Sequence, residues 1–160
     1  MKLLIIILTI IIIIYIYCYY IFPTEISILQ TDIQNFNFNI LSSRQPIVIS
    51  NYIKNPMEVI NSWFNYNFIS SITHNDLNET NDWIHNNYKY LYINAKEDTE
   101  VIIYNAQITK KNPTPEDKII IIKLQKNQSL ILPFKWKYYA TNINKWGIDD
   151  IITFSFGHLF

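Results

Sequence analysis

Few side chains in this chain belong to the types that most often carry chemistry. Its 160 residues include one cysteine, two glycines and three histidines. A single cysteine, Cys18, excludes an internal disulfide and a zinc site built from several thiolates. The only glycines, Gly147 and Gly157, cannot form a glycine-rich phosphate loop or a G-x-S-x-G nucleophile elbow. The residue types therefore predict neither nucleotide-phosphate binding nor catalysis by a cysteine or by a serine at such an elbow.

Charge and composition narrow the class of partner. The chain has 13 basic and 13 acidic residues, and no basic stripe that would neutralise a phosphate backbone, so we expect no nucleic-acid partner. Apolar residues make up 49% of the chain, which favours a folded domain over disorder. The abundance of Ile, Asn, Lys and Tyr is typical of an AT-rich genome, and a large DNA virus is one such source.

The N-terminal segment predicts a membrane anchor. Leu3 to Phe22 is an uncharged apolar run whose helix would span roughly 30 Å of hydrocarbon, with tyrosines near one end and Pro23 after it. The competing interpretation is a cleaved signal peptide, but the run is longer than such a peptide needs and has no small-residue cleavage pattern. We therefore predict a single transmembrane signal-anchor helix over residues 1–22, with the lipid bilayer as its partner.

Charges beside this segment predict its orientation. Lys2 precedes the run, and the first basic residue after it is Arg44. The positive-inside rule then places the N-terminus in the cytoplasm and the following domain in an extracytoplasmic or lumenal space. Glycosylation sequons at Asn78 and Asn127 fit a lumenal domain. The opposite orientation would make the domain a cytosolic adaptor.

After a connector over residues 23–44, the remaining residues 45–160 predict one domain. Asn55 and Pro56 are typical of a helix start, and a stripe of apolar residues at three- and four-residue spacing follows them. Residues 70–87 are polar and predict a loop. The later apolar runs, separated by turn residues, predict antiparallel strands over residues 88–93, 100–108, 118–124, 129–132, 136–141 and 151–156. The expected fold class is mainly β with one amphipathic helix.

Two segments together resemble the cupin-like domain of the JmjC type. Residues 44–49 (RQPIVI) are similar to a strand near the start of that domain. Residues 130–139 (LILPFKWKYY) resemble the family's strand in which a proline turn and a tryptophan precede a metal-binding histidine, and here Pro133 and Trp136 match. The resemblance covers about residues 30–156 and implies a cupin-like barrel or sandwich behind the predicted membrane helix.

The family's metal site is incomplete in this sequence. Family enzymes bind Fe(II) through a histidine-x-acid motif and a later histidine. His74 and Asp76 spell the first motif, but Tyr138 stands where the later histidine belongs, and a neutral tyrosine is a poor Fe(II) ligand. We therefore expect no metal and no cofactor. The alternative is a membrane-bound Fe(II)/2-oxoglutarate-type oxygenase with an atypical metal site that includes His74 and Asp76.

Four aromatic residues are the candidates for a ligand pocket. Tyr90, Tyr92, Trp136 and Tyr138 would line the mouth of a metal-free barrel and bind an apolar or sugar ligand. The competing interpretation, which we favour, is that these side chains fill the core. The sequence as a whole predicts a membrane-anchored, non-catalytic binding or structural domain with an unidentified protein or small-molecule partner.

Overall fold

The computed structural model describes residues 2–20, 26–64, 69–77, 82–104, 112–113 and 118–150. Within these ranges the helices are α1 (Lys2–Tyr20), α2 (Phe38–Ser42) and α3 (Pro56–Phe64). The strands are β1 (Leu29–Thr31), β2 (Ile47–Ile49), β3 (Ile69–Leu77), β4 (Ile84–His85), β5 (Tyr90–Ala95), β6 (Thr99–Tyr104), β7 (Ile119–Leu124), β8 (Ser129–Pro133), β9 (Lys137–Tyr139) and β10 (Ile143–Asp150). The strand predicted over residues 151–156 lies outside the described residues.

The N-terminal helix α1 does not support the predicted membrane anchor. It has 19 described residues and begins at the charged Lys2, and the predicted end at Phe22 lies outside the described residues. Across the helical residues that the structure describes, none forms a helix long and apolar enough to cross a membrane. The predictions of a single-pass transmembrane helix and of a membrane localisation with a cytoplasmic N-terminus are therefore wrong.

The described strands form two β-sheets, and the predicted mainly β architecture is confirmed. The six-stranded sheet has the order β1-β2-β8-β5-β10-β3, and the four-stranded sheet has the order β4-β9-β6-β7. The pairs are antiparallel except for β1 with β2, which are parallel. From β3 onward the chain passes repeatedly from one sheet to the other, so that the two sheets enclose a common interior.

The six-stranded sheet is covered on both faces. In β5, Leu91 and Ile93 belong to the core between the sheets, whereas Tyr90 and Tyr92 belong to a second core on the opposite face. This division follows from the period of two in a strand, in which successive side chains point to opposite faces. Every residue of β5 is buried, as expected for a central strand with both faces covered.

Helix α3 covers the second face of the six-stranded sheet. It begins at Pro56, as predicted, and the side chain of Asn55 donates a hydrogen bond to Glu58 Oε1 at 2.7 Å. Ile60 and Phe64 are buried against the sheet, and the ring of Phe64 lies 5.6 Å from that of Tyr90. The predicted helix is therefore confirmed, and its apolar stripe faces the second core rather than the interior between the sheets.

Residues 70–87, predicted as a polar loop, contain two strands. Strand β3 pairs with β10 along its whole length, and β4 follows it in the four-stranded sheet. Among the described strands β3 is the last of its sheet, and its polar sequence fits an edge position, where natural sheets carry polar and charged residues. The loop prediction was wrong because backbone pairing with β10 does not require an apolar side-chain pattern.

Candidate functional site

The four aromatic pocket candidates lie on two different faces of the fold. Trp136 and Tyr138 are 1% exposed and belong to the core between the sheets. Tyr90 and Tyr92 belong to the core beneath helix α3. The six-stranded sheet separates the two pairs, so the structure brings Trp136 together with Tyr138 and does not bring these two together with Tyr90 and Tyr92.

Tyr92 is part of a buried polar network below helix α3. Its hydroxyl donates a hydrogen bond to Ser129 Oγ at 2.8 Å, and Asn94 Nδ2 lies 3.0 Å from the same oxygen. Burial raises the pKa of the Tyr92 phenol well above its ordinary value, which keeps the hydroxyl protonated. Since Trp146 and Trp63 pack against the Tyr92 ring, this residue has a structural environment with satisfied hydrogen bonding.

The residues of the histidine-x-acid motif lie on strand β3. In the backbone register, His74 is the partner of Trp146 and Asp76 is the partner of Asn144 on β10. Among the residues that the structure describes, no group of three histidine, cysteine or acidic residues could hold a metal ion.

Lys145, which sequence reasoning missed, reaches Tyr138 across the interior. It lies on β10 two residues from Ile143, a member of the core between the sheets, and pairs in register with Ile93 of the same core. Its Nζ donates a hydrogen bond of 3.3 Å to the hydroxyl of Tyr138 on β9. The two side chains therefore link the six-stranded sheet to the four-stranded sheet through an amine and a phenol.

Burial controls the electrostatics of this pair. It lowers the pKa of the Lys145 amine, because the charged form loses part of its hydration. Burial also raises the pKa of the Tyr138 phenol, and the neighbouring Tyr88 phenol raises it further. Among the described side chains, no carboxylate lies within ion-pair distance of Lys145. Its observed partner is a neutral hydroxyl.

Trp136 contributes a second polar atom to the same core. Its indole Nε1 is buried and has no hydrogen-bond partner among the residues described in the structure. Most buried polar atoms in proteins are hydrogen-bonded, so such a group is uncommon. The indole nitrogen can only donate.

Tyr88 completes the cluster by packing over Gly147. A Cβ atom placed on Gly147 would lie 2.4 Å from Cδ1 of the Tyr88 ring, so only glycine admits the ring in this position. The ring packs against the core that contains Trp136 and Tyr138. We call Tyr88, Trp136, Tyr138 and Lys145 the inner site.

Asn86 holds two members of the inner site in place. Its backbone N donates to the carbonyl oxygen of Trp136 at 2.9 Å, and its side-chain Oδ1 accepts from the backbone N of Tyr88 at 3.0 Å. Its Nδ2 donates to the carbonyl oxygens of Pro133 at 2.8 Å and Leu132 at 3.3 Å. This buried amide therefore connects the β8–β9 turn with the segment that leads into β5.

His85 lies outside the inner site. It pairs in register with Lys137, whereas its neighbour Ile84 pairs with Tyr138 and packs against the core between the sheets. The imidazole Nδ1 donates to Asn87 Oδ1 at 2.6 Å. Partial burial lowers the pKa of His85, and the charges of Lys137 and Lys135 lower it further. His85 is therefore a histidine of the outer face of the four-stranded sheet.

Comparisons with known proteins add no relative: no family model matches the chain, and neither a curated protein nor a solved structure is significantly similar to it. The resemblance to JmjC-type cupin-like domains therefore stays a prediction.

Proposed function

We propose that this chain is a non-catalytic binding domain of cupin-like architecture that holds a small molecule at the inner site. The arrangement of β3 to β10 supports the cupin-like part of this proposal. Strands β3, β10, β5 and β8 lie side by side in one sheet, and β4, β9, β6 and β7 form the other. Eight antiparallel strands divided in this way between two sheets are typical of the jelly rolls to which cupins belong.

The observation that carries the proposal is the hydrogen bond between the half-buried Lys145 and the buried Tyr138. Tyr138 belongs to the mainly apolar core between the sheets, together with Ile93 and Ile143. Burying part of the Lys145 ammonium costs free energy unless its hydrogen bonds are made. The ammonium has three N–H donors, and the bond to the Tyr138 phenol uses one of them. Ligand sites in proteins combine apolar and aromatic walls with a few convergent polar groups, and the inner site has this composition.

The oxygenase alternative receives no such support. It requires two histidines and one carboxylate in one site, and in the sequence Tyr138 stands where the later histidine belongs. A binding function needs no such ligand set.

A ligand screen on the full chain tests the proposal. Bound ligand stabilises the native state in proportion to the logarithm of its concentration over Kd, so thermal shifts should identify ligands of any class. A ligand at the inner site should also change tryptophan fluorescence, and its stabilising effect should weaken in Trp136→Phe and Tyr138→Phe.

Tyr139→Phe is the matched control, because Tyr139 is the next residue on β9 and packs near Trp83 instead of in the core between the sheets. Ligands that stabilise all three variants as well as the unmodified protein would place binding elsewhere. A library of acids, sugars and amines without any saturable hit would contradict a binding function.

A further inference from the structure

We propose that the inner site recognises a carboxylate group, which Lys145 binds through its ammonium. This inference rests on the proposed binding function and specifies the chemical class of the ligand. It starts from the balance of hydrogen-bond donors and acceptors, and from the charge, among the side chains at the inner site.

Donors outnumber acceptors at the inner site. An ammonium has three donors and no acceptor, and an indole has one donor and no acceptor. One donor of Lys145 goes to Tyr138, and Trp136 Nε1 has no partner among the described residues. The phenols of Tyr88 and Tyr138 can each donate one more bond. A complementary ligand group must therefore mainly accept hydrogen bonds, which an ionised carboxylate does through about four lone-pair sites.

The positive charge of Lys145 also favours an anionic ligand group. Lys145 is half-buried, its register partner Ile93 and its strand neighbour Ile143 are apolar, and no described carboxylate pairs with it. A partly desolvated cation is stabilised by an anion that enters the same low-dielectric space. A cationic ligand would be repelled, and a neutral sugar, which donates as much as it accepts, would leave part of the donor excess unmet.

The charge at the inner site favours a carboxylate over a phosphate. Among the described residues, Lys145 is the lysine whose ammonium contacts the Tyr138 phenol, and it offers one compensating positive charge to a ligand. One charge matches a monoanionic carboxylate and is insufficient for a doubly charged phosphate.

Formate and formamide make a direct test, because they are small and nearly the same shape and differ in charge. Lysine side-chain NMR on the full chain, with Lys145→Met used to assign the signal, reports on the ammonium itself. Tryptophan indole NMR, with Trp136→Phe used for assignment, reports on the second donor. We expect formate to shift both signals saturably, with a Kd no tighter than about 1 mM for so small a ligand.

Three controls separate site binding from general salt effects. Formamide should leave both signals unchanged at the same concentration. Lys123, which is exposed and lies 3.5 Å from Glu100, should show only the weak linear response of a surface lysine. Lys145→Gln should lose the formate response of the Trp136 indole, and it keeps a polar side chain in case Lys145→Met disturbs the fold.

The outcomes distinguish this inference from the proposed function. Equal responses to formate and formamide, or no response of Lys145 to formate, would overturn carboxylate recognition. If another library compound still bound in a manner sensitive to Trp136→Phe, the binding function would stand without it. If no compound bound at all, both would fail.

Discussion

Replacement of Gly147 by alanine should destabilise the protein because of one contact. The added Cβ would lie 2.4 Å from Cδ1 and Cε1 of Tyr88 and 2.5 Å from Cγ. Carbon atoms attract at separations of roughly 3.5 Å or more, so the ring must retreat by about 1 Å. Gly147 does not have a positive φ, so its backbone would accept alanine without strain. The predicted cost is therefore that of the steric contact alone.

The size of the effect follows from how freely the ring can move. Overpacking of a well-packed core costs about 1–3 kcal/mol. Tyr88 is half-buried, and the hydrogen bond from its backbone N to Asn86 Oδ1 limits only its main chain. We therefore expect the lower part of that range, about 1–2 kcal/mol. For a protein of this size each kcal/mol lowers Tm by about 2–4 °C.

A double-mutant cycle with Tyr88→Ala measures the contact itself. Urea denaturation of the four proteins gives the free energy of unfolding of each. When the ring is absent, Gly147→Ala should cost nothing, and it should stabilise the fold by up to about 1 kcal/mol because alanine restricts the unfolded chain. The same loss of stability in both backgrounds would refute the assignment of the Tyr88 ring to this position, and with it the composition of the inner site.

Three further predictions concern buried polar groups. Asn86→Ala should lower the free energy of unfolding by about 2–4 kcal/mol in urea denaturation, because it leaves the buried carbonyl of Pro133 without its donor; a loss below about 0.5 kcal/mol would contradict this. Tyr92→Phe should cost about 1 kcal/mol by the same measurement, and less when Ser129→Ala has already removed the partner oxygen; fully additive losses would show that the bond is not made. Because the folded pKa of Lys145 lies below the ordinary 10.5, the unfolded chain binds more protons between the two values. The stability of the unmodified protein relative to Lys145→Met should therefore rise with pH up to about 10.5, and a flat difference in denaturation between pH 7 and 10.5 would count against a buried amine.

Local signals in the sequence were sufficient for the helix and for most strands. Asn55 and Pro56 are contiguous with the helix they start, so no knowledge of the rest of the fold was needed. The runs from β5 to β9 were similarly evident as apolar segments between turns. The edge strand β3 was missed because its residues are polar, and its strand conformation depends on pairing with β10, far away in the chain.

The inner site could not be assembled from the sequence, because its members become neighbours only through the pairing of the sheets. The residues of β5 are all apolar apart from Asn94, so nothing in that run tells which face Tyr90 and Tyr92 share. Lys145 offered one usable signal. Lys145 and Ile143 share one face of β10, whereas Trp146 and Ile148 on the other face belong to the core beneath α3. A lysine in a strand with apolar residues on both faces is uncommon.

Asn86 explains how an interior of aliphatic side chains can hold polar ones at defined positions. The residues on either side of the inner site lie in connecting segments: Trp136 precedes β9, and Tyr88 precedes β5. Such segments are normally the most variable part of a fold, and binding groups are often placed there on a rigid scaffold. Here Asn86 bonds to both segments. Its backbone N donates to the Trp136 carbonyl, while its side-chain amide accepts from the backbone N of Tyr88 and donates to the Pro133 carbonyl. Asn86→Ala removes only the side-chain bonds, so it should weaken ligand binding through the segments at Tyr88 and Pro133 even where Lys145 and Tyr138 remain paired across the sheets.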